Sequence, residues 1–160
     1  MILNIINDFA KKELLLNVNL NSNDTYIDLE KKIILIHHKQ TINNKCFSLL
    51  HELGHVIQPI SLFQVNEKNI NISKFLILEQ EINAWDIGWL IAKYLKIADK
   101  LNYEDYVKES AINLKSYMIM INEADNKYIK TKAIDYIIKE NERLPEWLDV
   151  YKKVINQRLT

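Results

Sequence analysis

A chain of 160 residues, 48% of them hydrophobic, is long enough for one domain with a real core. Its formal net charge is +0, which argues against the basic surface of a nucleic-acid binder and leaves little charge to oppose self-association. A single cysteine, Cys46, excludes an intramolecular disulfide and fits a reducing, cytoplasmic setting.

Along the chain, Ile2, Ile5, Ile6 and Phe9 predict a short amphipathic helix over 2–13. The run from Met1 lacks a basic start and is broken by Asn4, Asn7 and Asp8, so it does not read as a signal peptide. No stretch reaches the roughly 20 apolar residues of a membrane span. Residues 14–20 alternate in part and predict a strand. Asn21-Ser22-Asn23-Asp24 predicts a turn, and the segments 26–29 and 33–36, flanking Glu30-Lys31-Lys32, predict a hairpin. His37 and His38 read as an ordinary pair at a strand end.

A helix over about 44–58 follows, with Thr41, Asn43 and Asn44 as N-cap candidates and Pro59 as its stop. It is expected to bury Phe47 and Leu50. Within it lies His51-Glu52-Leu53-Gly54-His55, the pattern H-E-x-x-H. Residues i and i+4 share a helix face, so both imidazoles can reach one ion. Glu52 lies beside them, placed to accept a proton from water activated there. Cys46 is five residues before His51, a poor spacing for a shared metal, and reads as a small buried apolar residue.

A catalytic zinc usually takes three protein ligands and leaves a fourth position open. The carboxylates that follow the motif are Glu67, Glu79, Glu81 and Asp86. Glu67 falls in a polar connection over 60–72, a loop or a lid. Glu79 and Glu81 fall in an apolar-periodic segment that predicts a helix over about 73–97. Ala84, Gly88 and Ala92 stand three, seven and eleven positions after Glu81, so that side carries only small residues. It permits the close helix approach a ligand donor needs. Glu79 is on a different side, so Glu81 is the expected third ligand.

The segment from Phe47 to His55 resembles the active-site helix of the ImmA/IrrE-type metallopeptidases. Glu81, Ala84 and Gly88 match in order that family's downstream glutamate and its two small residues. The likeness covers roughly 25–97. Where many members have a Leu-Met-Pro-like stretch, this chain runs on through Leu90–Leu95. The resemblance implies zinc held by His51, His55 and Glu81, with Glu52 as general acid/base and a protein substrate, often a repressor of a mobile element.

After residue 98 the pattern is helical, with segments at 103–121, 126–141 and 145–158. Tyr106, Ile112, Leu114 and Tyr117 are among the core candidates. The expected fold is α+β. A small antiparallel sheet accompanies an HExxH helix and a glutamate-donating helix, followed by a helical C-terminal extension. All of it forms one zincin-like domain over 1–160, with a catalytic core to about 98. The expected function is a zinc-dependent endopeptidase acting on an intracellular protein or peptide, engaged along a strand edge near Ile33–Ile36, with no nucleic acid or membrane partner. The alternative is a non-catalytic, zinc-stabilised protein-binding module, which would need a fourth ligand from His37, His38 or Cys46.

Overall fold

The computed structural model describes residues 1–58 and 70–119; for 70–76 and 116–119 it describes the backbone alone. The predicted helices at 126–141 and 145–158, and residues 60–69 of the predicted connection over 60–72, Glu67 among them, lie outside the described residues; residues 70–72 of that connection belong instead to a helix. In chain order the elements are α1 (Ile2–Glu13), β1 (Asn17–Ser22), β2 (Tyr26–Asp28), β3 (Ile33–His37), α2 (Ile42–Ile57), α3 (Ile70–Tyr94), a 3-10 turn at Ala98–Lys100, and α4 (Tyr103–Ile119). The class is α+β, as the sequence predicts.

The sheet departs from the expectation. Its order is β1-β3-β2. β2 and β3 form the predicted antiparallel hairpin, with Ile27 opposite Ile34. β1 instead pairs with β3 in parallel, Val18 opposite Ile34, so the sheet is mixed and not antiparallel. Two chain reversals, before and after β2, return β3 to the direction of β1. The central place goes to the most apolar strand, with Ile34 and Ile36 fully buried, as a strand flanked on both sides requires. The expectation of a free edge near Ile33–Ile36 is therefore corrected: β3 is paired on both sides, and among the described residues the edges belong to β1 and β2. Just before β2, Thr25 Oγ1 accepts from His37 N–H at 3.0 Å.

α2 is the central element of the described residues. Thr41 caps it, its Oγ1 accepting from Asn44 N–H at 3.2 Å. The extended backbone of Gln58 ends it, as the residue before a proline prefers. An amphipathic helix would bury one stripe. Here every residue from Cys46 to Gly54 is buried, because α1, β3, α3 and α4 all pack on α2. α1 contributes Ile6, Phe9 and Ala10 to this core. Lys45 ties α2 to the sheet by donating to the Leu20 carbonyl at 3.0 Å.

α2 and α3 cross where neither carries bulk. A Cβ on Gly54 would lie 2.0 Å from the Ala84 carbonyl oxygen, and one on Gly88 would lie 2.7 Å from the Leu50 carbonyl oxygen. These are the chain's only 2 glycines. The helix cost of about 1 kcal/mol for each is offset by backbone-to-backbone approach. α4 adds Tyr106 to the same core. Ile112, expected in the core, is 68% exposed, because it lies on the outer side of α4. Among the described residues no helix is long and apolar enough to cross a membrane.

Candidate metal centre

The crossing brings together three of the residues singled out in the sequence. His51 and His55 project from successive turns of α2, and Glu81 reaches them from α3. His51 Nε2 lies 3.2 Å from His55 Nε2. Glu81 Oε2 lies 3.2 Å from the first and 3.5 Å from the second. A tetrahedral ion with nitrogen and oxygen ligands at about 2.0–2.2 Å sets those atoms roughly 3.3–3.6 Å apart. The triangle thus has the size of one face of such a tetrahedron, and these residues fit a metal ion. Protons fit it less well. A hydrogen on His55 Nε2 serves only one of the two acceptors facing it with good geometry, whereas a cation between the three atoms satisfies all of them.

The electrostatics follow from burial and proximity. Burial alone would raise the Glu81 carboxyl, but the two imidazoles outweigh it and hold the group down at about 2. His51, deeper in the core, is pushed below the ordinary histidine range by burial despite Glu81. Burial also pulls His55 down, but the hydrogen bond and charge of Glu81 lift it above that range. The metal-free cluster therefore holds a carboxylate, a neutral His51 and a His55 that retains its proton more readily. Metal binding needs that imidazole neutral and so competes with its proton.

Glu52 is buried beside the cluster, close enough to feel the charges of His55 and Glu81. Burial, aided by the charge of Glu81, outweighs the opposing pull of His55 and raises its carboxyl to about 7. A group poised near neutrality both takes up and releases protons. The other expectations separate clearly. Glu79 is not part of the cluster, and neither is Asp86. Cys46 is 1% exposed, and burial pushes its thiol up to about 11, leaving an inert packing residue. His37 and His38 stack on each other at the end of β3. His38 Nδ1 donates to the Ser22 carbonyl, and His37 Nδ1 accepts from Lys39 N–H. Among the described residues no fourth protein ligand joins the three.

Two neighbours of the site carry no motif in the sequence. Gln58, 3% exposed, donates its side-chain amide to the carbonyl of Gln80, which anchors the end of α2 beside Glu81. Trp85 lies flat against His51, with ring centroids 4.4 Å apart and planes at 23°. Trp85 follows Glu81 by one helical turn, so the i, i+4 rule puts it on the ligand's side of α3. That signal was available; its partner across the crossing was not. Comparisons of the chain with protein-family models, with curated proteins and with solved structures each find no match.

Proposed function

We propose that the chain is a zinc-dependent endopeptidase. The observation that carries this reading is the meeting of His51, His55 and Glu81 at tetrahedral-face distances beside the buried Glu52. Two imidazoles and one carboxylate suit zinc, and a three-residue set leaves a position open for reaction. Zinc bound there supplies a Lewis acid that polarises a carbonyl and acidifies water to a pKa of about 7.

The chain's own residues do the rest. Glu81 holds its charge at any physiological pH and balances the cation. Glu52 takes a proton from the attacking water and returns it to the leaving amine. The crossing at Gly54 and Gly88 fixes the distance between the two ligand-bearing helices. The resemblance to ImmA/IrrE-type metallopeptidases supports the same assignment and points to a protein substrate inside the cell.

The test pairs metal analysis with one substitution. Purified protein is expected to hold about one zinc per chain, as a single site implies. Glu52→Gln is expected to keep the zinc and the fold but lose cleavage of a protein substrate trapped from the source cell, because an amide cannot accept the proton. Undiminished cleavage by Glu52→Gln would refute the catalytic assignment. Absence of zinc from the wild type after refolding with the metal would refute the site itself.

A further inference from the structure

We infer that Trp85 is a positioning residue that sets the orientation of the ligand His51, and that α4 holds Trp85 in place through Tyr106. The inference rests on the metal centre proposed above and adds a part to it.

A metal-binding histidine is normally oriented by a hydrogen bond from its second ring nitrogen. His51 lacks that device: its Nδ1 is buried and has no hydrogen-bond partner among the described residues. What holds the ring is its face. The Trp85 indole stacks on it at 4.4 Å and 23°, and the His55 ring meets it edge-on at 4.5 Å and 74°. A stacked indole removes the freedom of the imidazole to swing about its side-chain bonds, and so points Nε2 at the common centre. Trp85 is itself 4% exposed, and its Nε1 has no partner among the described residues. Among the described residues, then, ring packing and not a hydrogen bond from the indole sets its rotation.

The restraint comes from α4. The Tyr106 hydroxyl donates to the Trp85 carbonyl at 2.5 Å. The Tyr106 ring packs edge-on against Trp85 at 5.2 Å and against Phe47 at 5.3 Å. Phe47 is one turn before His51 on α2. Gly88 leaves room for this arrangement, since a Cβ there would lie 2.7 Å from the Tyr106 hydroxyl. A continuous chain of contacts thus runs from α4 through α3 to the ligand on α2. Trp89 is the internal control. It packs on Tyr103 and Tyr106 in the same aromatic cluster, but no ring contact joins it to His51.

The experiment measures zinc dissociation constants by chelator competition and the visible absorption of the cobalt-loaded protein. It compares the wild type with Trp85→Leu, Trp85→Phe, Trp89→Leu and Tyr106→Phe, each with the melting temperature of its metal-free form. Trp85→Leu is expected to weaken zinc binding by about tenfold or more and to alter the cobalt spectrum. Trp85→Phe restores a stacked ring and should bind within about threefold of the wild type, because offset ring stacking survives the change. Trp89→Leu should lower the melting temperature as much as Trp85→Leu while leaving affinity and spectrum unchanged. Tyr106→Phe, which loses only the hydroxyl anchor, should fall between. Wild-type affinity in folded Trp85→Leu, or equal weakening by Trp89→Leu, would overturn the inference and leave the metal centre standing. Should Trp85→Leu not fold, wild-type affinity and spectrum in Tyr106→Phe would overturn it. A wild type that takes up neither zinc nor cobalt would remove the metal centre, and this role with it.

Discussion

Glu81 and Asp86 stand five residues apart on α3, on different sides of the helix. Burial raises the carboxyl of both. Glu81 meets two imidazoles and is held at about 2. Among the described residues Asp86 meets no compensating charge and its buried Oδ2 has no hydrogen-bond partner, and burial pushes its carboxyl up to about 8. The same desolvation thus yields a permanent anion at one position and a proton-bearing acid at the other. What differs is the neighbour across the interface. The side of α3 that faces α2 is built to keep a negative charge, which is what a cation site requires. The side at Asp86 is not.

The largest effect expected from that contrast is on metal binding. Glu81→Ala, His51→Ala and His55→Ala should each abolish stoichiometric zinc, since two ligands do not retain it at micromolar concentration. Asp86→Ala and Glu79→Ala should leave the zinc content at the wild-type level. Equal loss from Glu79→Ala and Glu81→Ala, read by metal analysis after gel filtration, would erase the distinction between the sides of α3.

A smaller effect is expected where the two helices touch. Gly54→Ala places a carbon against the Ala84 carbonyl, and a backbone atom cannot turn aside as a side-chain tip can. The helices must separate, at a cost of about 1–3 kcal/mol and with weaker zinc binding, although no ligand has changed. Gly88→Leu should act in the same direction through Leu50 and Tyr106. Denaturant unfolding of the metal-free variants measures the first quantity and chelator competition the second. A stabilised Gly54→Ala, as helix propensity alone would give, would show that the crossing is looser than its contacts indicate.

Much of this site was legible because it is local. Thr41, the H-E-x-x-H spacing and the stop before Pro59 all act within one helix, and the α2 boundaries shifted only from about 44–58 to Ile42–Ile57. Glu81 was reachable because Ala84 and Gly88 advertise a face without bulk. The sheet was harder. Pairing between β1 and β3 is set by how two reversals bring distant residues together, and alternation in β1 reads the same for a parallel or an antiparallel neighbour. The burial of α2 on all sides also depends on how many elements surround it, which no periodicity inside the helix encodes. Ile112 shows the converse: an apolar residue on α4 turned outward, since one-sided helices bear single exposed apolar residues without difficulty. The stack of Trp85 on His51 needs the crossing itself and could not be read from either helix alone.

The finest test of the comparison is Asp86→Asn. A carboxyl whose folded-state value is raised costs nothing while it is protonated in both states. As pH climbs above 3.8 the unfolded chain ionises, the folded chain does not, and stability falls until the folded group also ionises near 8. Asparagine has the same shape and no charge, so it escapes that loss. Asp86→Asn is therefore expected to match the wild type near pH 4 and to exceed it at pH 8 by about 1–3 kcal/mol, the usual cost of a buried unsatisfied group. That gain corresponds to roughly 3–10 °C in melting temperature for a chain of this size. Thermal melts of the metal-free proteins across this pH range separate it from any effect on zinc. A destabilised Asp86→Asn at pH 8 would mean that the carboxylate meets a compensating cation, and the contrast with Glu81 would then be one of partner identity and not of partner absence.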